Sequence, residues 1–464
     1  MSKETLVLAE FVAGVRPAHV PADVAEVLQR ALVDAVGCAL HGSALPWSRL
    51  VAEHVLAEDA GRDAVLWASG GRPCSALGAA LAHGAAVHGF DFDDHHRAKI
   101  HPGAAVIPAA LALGQRLHSS GEQLLAAIAT GYETMIRVSL AANPGPARMR
   151  GWHLTGTCGT FGAAAAASVL LGLDAPTTAS ALGLAGTQSA GLWAFTADGA
   201  MSKRLHPGRA AQGGLMAALL AQRGFQGPTQ ILEAEDGGWL AAMSDQPRPE
   251  RIHDGLGQAW RTLGTCFKPH ACCGSNHACV DGAIDIMQRE DLSPDDIASV
   301  QVGIGQVVMQ QTGFAYHPGS VLNAQMSIRY NVAVALMDRR AYLEQFTPQR
   351  IADPALTRLA ERIEVVIDAE MDAVYPERYA GKIEIVCHDG RRYAERVDFS
   401  RGMPERPMDR AWIEDKFRSL AGSVIGGPAS ESVLAALRMA YELPDCAVLS
   451  ERLGSLRMEA TPAA

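Results

Sequence analysis

A chain of 464 residues with 48% hydrophobic and 19% charged residues is long enough for two or three cores, and too apolar to be disordered. Its 40 Lys and Arg against 50 Asp and Glu leave a net charge of −10, which argues against a nucleic-acid partner, because that normally needs a basic face. Small anions remain open as ligands, since local cations decide their binding.

No basic-then-apolar segment opens the chain, so no secretory signal is expected. The longest apolar stretches, such as Phe161–Leu173, fall short of the ~20 residues that span a bilayer. The expectation is a cytoplasmic protein without a membrane partner. Nine scattered cysteines fit reduced thiols better than a disulfide framework.

From Thr5 to about Ser244 the pattern is helical. Ala22–Cys38 repeats apolar residues at three- and four-residue spacing, with Pro21 ahead of it. Further helices are expected over Ala76–His88, Pro108–Leu117, Gly121–Ala141, Phe161–Gly172, Pro176–Gly191 and Arg209–Arg223. No strand is expected in this half. The character changes near residue 260. Alternation at Val300–Ile304 and the Val/Ile-rich segments Arg362–Ala369, Gly381–His388 and Arg392–Phe399 predict strands, with a hairpin turn at Asp389-Gly390. Helices are expected at Asn276–Gln288, Ser327–Asp338, Met408–Leu420 and Ala429–Leu443, and the tail from Arg457 is expected to fray. The fold class is therefore mainly α. An all-α domain spans 1–265, a smaller α+β domain spans 266–403, and the C-terminal helices of 404–464 pack back on the first.

Four polar islands interrupt the apolar helices. The first is Asp91–His101, D-F-D-D-H-H-R-A-K-I-H, too dense in titratable groups to be ordinary core. The second, G-W-H-L-T-G-T-C-G, places His153 just ahead of a helix start, where bound anions are favoured. The third, M-S-K-R-L-H-P-G-R, carries Lys203, Arg204, His206 and Arg209. The fourth, F-K-P-H-A-C-C-G-S-N-H, carries Lys268 and His277 at the domain junction, and Arg329 belongs to a weaker fifth.

Each has a plainer reading. Asp93 and Asp94 would serve as caps for the segment that follows. Arg204 and Arg209 would form a solvated edge, and His54, His83 or His118 an ordinary satisfied imidazole. Metal ligation by the D-x-D-D-H-H run is disfavoured by the absence of H-x-x-x-H spacing. The Cys266–Cys279 cluster lacks a C-x-x-C pair, so no metal or iron–sulfur cluster is expected. No Gly-rich phosphate loop or nucleophile elbow occurs, and no cofactor is called for. Lys203, Arg204, Arg209, Lys268 and Arg329 suit a substrate with several carboxylates. Histidines beside them suit proton transfer alpha to one carboxylate, whose developing charge the cations would stabilise.

The motifs H-G-F-D-F-D-D with H-P-G-A-A-V-I-P, then G-W-H-L-T-G-T-C-G, K-R-L-H-P-G-R and K-P-H-A-C-C-G-S-N-H, resemble those of the MmgE/PrpD family, in order and over about Thr5 to Ser450. The resemblance implies a large helical domain, a smaller α+β domain with a site between them, and a homodimer. It also implies metal-independent chemistry on a small di- or tricarboxylic acid, without a cofactor. The family's site residues fall on Asp91, His101, His153, Lys203 and His277. His95 stands where the family commonly has threonine, and Leu154 where it has proline. The leading expectation is a lyase of the 2-methylcitrate dehydratase type, with Lys203 and His153 as the proton-transfer pair. Asp91 and His101 would tune that pair, and His277 with Lys268 would act from the smaller domain. Epimerisation of an iminodisuccinate-like acid, decarboxylation of a cis-aconitate-type acid and non-catalytic polycarboxylate binding are the alternatives.

Overall fold

The computed structural model describes residues 3–458. It divides into two compact units. Among the described residues the first comprises 3–193, 202–265 and 409–458, and the second comprises 194–201 and 266–408. The mainly α class with a smaller α+β part is what the structure shows. The short segment Ala194–Met201 belongs to the second unit although 64 residues of the first follow it, at Ser202–Thr265. Of the tail expected to fray, Arg457 instead bridges to Ser69. Residues 459–464 lie outside those described.

At the centre of the first unit are five helices: Ala76–Val87, Pro102–Leu117, Gly121–Ala142, Leu154–Leu170 and Ser202–Gln222. Their facing surfaces are rich in Ala and Gly, so the backbones approach closely. A Cβ on Gly84 would lie 2.7 Å from the Cα of Gly208, and one on Gly208 would lie 2.3 Å from the carbonyl oxygen of Leu81. Only glycine fits at that crossing, and it fixes the end of one helix against the start of the other. Among the described residues Gly121–Ala142 is the one helix long and apolar enough to cross a membrane by length and composition. It is nevertheless a buried helix of this unit, with Arg137 and Glu133 paired inside it at 2.7 Å. Arg137 also donates to the carbonyl oxygens of Ile252, Asp254 and Ala259.

Two helix starts lie earlier than expected. The helix placed at Pro108 begins at Pro102, and the one placed at Arg209 begins at Ser202. In both a proline, Pro108 or Pro207, lies inside the helix. Tertiary packing there outweighs the hydrogen bond that a proline forgoes. Likewise the helix placed at Phe161 begins at Leu154. Two-residue strands at Ala64–Val65, Pro73–Cys74 and His95–His96 add minor pairings to the half expected to be strand-free.

The second unit is built on a four-stranded sheet. Ile297–Ile304 runs parallel to Ile363–Ile367 on one side and antiparallel to Gly381–Cys387 on the other. Arg392–Val397 completes the hairpin with Gly381–Cys387, and Gly390 takes the left-handed conformation (φ +88°) in its turn. The helices His277–Arg289 and Ile328–Asp338 pack on each other, the first also on the hairpin. The C-terminal helices Arg410–Ile425 and Gly427–Arg438 belong to the first unit, where Arg410–Ile425 lies along Ala22–Ser43.

Candidate active site

Four helix ends bring the polar islands of the first unit together. His88 caps the C-terminus of Ala76–Val87, His101 and His153 are the N-cap residues of Pro102–Leu117 and Leu154–Leu170, and Lys203 lies in the first turn of Ser202–Gln222. Neither His101 nor His153 uses its ring to cap its own helix. The backbone N–H of His101 donates to Oγ1 of Thr155 at 3.1 Å, which ties two of the helix starts together. Three helix N-termini therefore meet at one place, and their partial positive charge favours a bound anion.

The side chains form a continuous buried array. The Lys203 ammonium, 3% exposed, lies 3.0 Å from Oδ1 of Asp91 and 2.8 Å from Nε2 of His88. Nδ1 of His88 lies 3.0 Å from both oxygens of Asp93. Nδ1 of His101 is 3.2 Å from Asp93 and its Nε2 is 3.8 Å from Asp91. These contacts fix one tautomer for His88. An ammonium can only donate, so Nε2 of His88 accepts and Nδ1–H donates to Asp93. Burial pushes the His88 ring down to about 3, against the pull of Asp93 and with help from Lys203 and His101. Asp93 lies well below the usual carboxylate range; its burial acts upward, and His88 and His101 outweigh it.

The loop carrying the aspartates is clamped from behind. Asp91 has φ +55°, a left-handed conformation that aspartate tolerates at some cost. The clamp itself comes from far along the chain. Nζ of Lys416, on the Arg410–Ile425 helix, donates to the carbonyl oxygen of Phe92 at 2.5 Å and stands 3.9 Å from the centre of its ring. Lys416 also pairs with Asp34 at 2.7 Å, both fully buried. Asp94 turns away from the array. It accepts from Gly103 N–H in the first turn of the helix at 3.0 Å and from the Tyr132 hydroxyl at 2.8 Å.

Of the residues expected at a site, Asp91, His101, His153 and Lys203 belong to this array or border it. His153 is 2% exposed. Its pKa is pushed well below the usual range by burial, then by His206, Lys203 and other neighbouring imidazoles. His95 is buried, with its ring 6.3 Å from that of His101. Arg204 is buried but engaged, stacked on Trp47 at 4.0 Å and donating to the carbonyl oxygen of Gly89 at 2.9 Å. Arg209 is exposed and bonds its helix neighbour Gln212, so the solvated-edge reading describes it better than substrate binding. His277, Lys268 and Arg329 belong to the second unit. There His277 and Lys268 are buried, His277 contacts the Cys272 carbonyl oxygen, and Arg329 donates to the Phe314 carbonyl oxygen at 2.9 Å. Asp94 does act as the cap that the plainer reading allowed. Asp93 does not; it is the hub between His88 and His101.

Three participants stand outside the site residues expected from the sequence. His88 opens the first of the quoted motifs, and His206 lies in the third island. His206 follows Lys203 by three residues, a spacing that puts both on one helix face, so each carries a sequence signal. Lys416, 324 residues from Phe92, left none.

His88, Asp91, Asp93 and His101 offer donor atoms within 4.8 Å of one another, close enough to hold a cation. The Lys203 ammonium already sits against Asp91 and His88 of that set. A metal would have to compete with that fixed charge, so the donor set reads as an ion-pair network. All nine cysteines are free and buried.

Comparison with known proteins gives the family. The MmgE/PrpD N-terminal domain matches residues 7–252 and the MmgE/PrpD C-terminal domain matches residues 270–439. The chain belongs to the MmgE/PrpD family. Among its relatives are cis-aconitate decarboxylase-like protein oryM of Aspergillus oryzae, 31% identical over 91% of each chain, and cis-aconitate decarboxylase of Aspergillus terreus, 30% identical over 87% of this chain and 86% of the relative. Human cis-aconitate decarboxylase is 26% identical over 96% of this chain and 93% of its own.

Proposed function

We propose that this protein is a lyase that decarboxylates a small unsaturated tricarboxylate of the cis-aconitate type. The relatives favour this alternative over the dehydration that the motifs alone put first. The observation that carries it chemically is Lys203, an ammonium held in a buried site by Asp91 and His88. Loss of carbon dioxide from a carboxylate leaves an electron pair on carbon. In an unsaturated polyacid that pair is delocalised onto a remaining carboxylate. A fixed cation and three helix N-termini stabilise the charge there, more strongly than water would. One proton must then reach carbon, and His153 is the group proposed to deliver it. No redox or nucleophilic step is required.

The test is proton NMR of the full chain with cis-aconitate in deuterated water, with released carbon dioxide measured in parallel. Decarboxylation predicts loss of substrate, equimolar carbon dioxide and one deuterium in the product. Hydration or water loss without carbon dioxide would restore the dehydratase reading. Exchange at carbon without any other change would favour epimerisation. Lys203→Met and His153→Gln should each lower turnover by roughly 10²-fold or more, the scale of a positioned charge or proton-transfer group.

A further inference from the structure

A decarboxylase consumes a proton in every turnover. The C–C bond breaks, carbon dioxide leaves, and the electron pair left on carbon takes a proton that has to come from solvent. The proposed donor, His153, is 2% exposed, so it has to be reloaded through a neighbour. Nδ1 of His153 lies 2.9 Å from Nδ1 of His206, and the rings are 5.1 Å apart at 48°. His206 is only partly buried, so it reaches from the buried ring towards the surface of its unit. The packing that holds it there is specific. A Cβ on Gly156, in the turn after His153, would lie 3.1 Å from Cβ of His206 and 2.5 Å from the carbonyl oxygen of Ala190.

From this geometry we infer that His206 is a relay residue that passes protons from solvent to His153 in the decarboxylation proposed above, on which the inference rests. Two like ring nitrogens can share a hydrogen bond only if one carries the proton and the other a lone pair. With the proton on Nδ1 of His206, the His153 ring carries its own on Nε2. Delivery from Nε2 of His153 to the substrate carbon is then matched by transfer from Nδ1 of His206 to Nδ1 of His153. Nε2 of His206 takes a replacement from water. Each ring gives one proton and receives one, and reorientation of the rings closes the cycle. No imidazolium is needed. That agrees with the setting, where burial and Lys203 push His206 down to about 4, and burial with the neighbouring His206 and Lys203 holds His153 well below the usual imidazole range.

The experiment measures carbon dioxide release from cis-aconitate by the wild-type chain and by His206→Gln, over a range of imidazole concentrations at fixed pH and ionic strength. In the variant kcat should fall at least about tenfold, less than the roughly 10²-fold or more lost with the group that itself protonates the substrate. It should recover in proportion to added imidazole, with a smaller change in KM, while wild-type kcat stays indifferent to buffer. A variant whose kcat is low and unmoved by imidazole, or is unchanged, overturns the relay. A second measurement needs no variant. In mixtures of light and heavy water the wild-type rate should curve with deuterium fraction, since two protons move together; a linear or flat dependence overturns the relay. A wild-type chain that releases no carbon dioxide overturns the decarboxylase reading itself, and the relay with it.

Discussion

Replacing Asp93 by Asn removes one charge from the hub of the buried array while keeping its shape. Asp93 is fully buried and takes contacts from Nδ1 of His88 at 3.0 Å and Nδ1 of His101 at 3.2 Å. A carboxamide has one oxygen to offer and presents an N–H₂ group to the other ring. Either His101 faces a donor, or His88 must move its proton to Nε2 and so confront the Lys203 ammonium at 2.8 Å. Each route disturbs the position of Lys203. The loss of one hydrogen bond to a charged group is about 1.5–3 kcal/mol. At 1.36 kcal/mol per factor of ten, that is roughly a ten- to hundredfold fall in kcat. Steady-state carbon dioxide release from cis-aconitate gives kcat, and circular dichroism with a thermal melt checks that the fold is kept. A folded Asp93→Asn chain with kcat within about twofold of wild type would refute the hub role, because every route above costs more than the ~0.4 kcal/mol that twofold represents.

Acid should destabilise the protein well above the carboxylate range. His41 and His206 are held at about 4 and His83, His88 and His96 at about 3, all chiefly by burial. Unfolding lets each take up a proton below its ordinary value near 6.5, so stability is full above pH 6.5 and falls towards pH 4, at up to about 1.4 kcal/mol per pH unit for each ring. Asp34 and Asp94, held above their ordinary values, oppose this but are outnumbered. Thermal midpoints that stay constant between pH 7.5 and 5 would contradict the buried neutral histidines. Lys416→Met leaves the Asp34 carboxylate buried without its cation and should destabilise the chain by about 3–5 kcal/mol. Adding Asp34→Leu should recover part of that loss, and strictly additive urea midpoints would count against the pair. Gly156→Ala should lower kcat more than it lowers the melting temperature, since its Cβ displaces His206; an Ala variant with wild-type kcat would remove the packing argument.

The fold class was legible because the apolar spacing of Ala22–Cys38 and the Val/Ile strands around Asp389-Gly390 are local signals. Helix starts were misplaced where local chemistry was overruled. Pro108 and Pro207 look like boundaries, yet close packing carries the helix through each of them. At the site, residue types told which stretches were polar and titratable, but not which atom faces which. Asp93 and Asp94 are adjacent and alike in sequence, and one became a hub and the other a helix cap, because successive side chains in the loop point in different directions. Arg204 and Arg209 shared a motif, but only Arg204 is buried. Lys416 could not be read at all, since its partners are set by how the C-terminal helix docks.

That docking bears on the order in which the protein is made. The unit holding the aspartates is discontinuous, and the cation that grips the Phe92 carbonyl oxygen and neutralises Asp34 is residue 416 of 464. While the ribosome is still adding the second unit, the first has all its catalytic candidates but not the clamp behind them. Its left-handed Asp91 is then unsupported and its Asp34 carboxylate lacks its partner. A chain that stops short of residue 416 therefore carries these site residues without the contacts that Lys416 makes behind them.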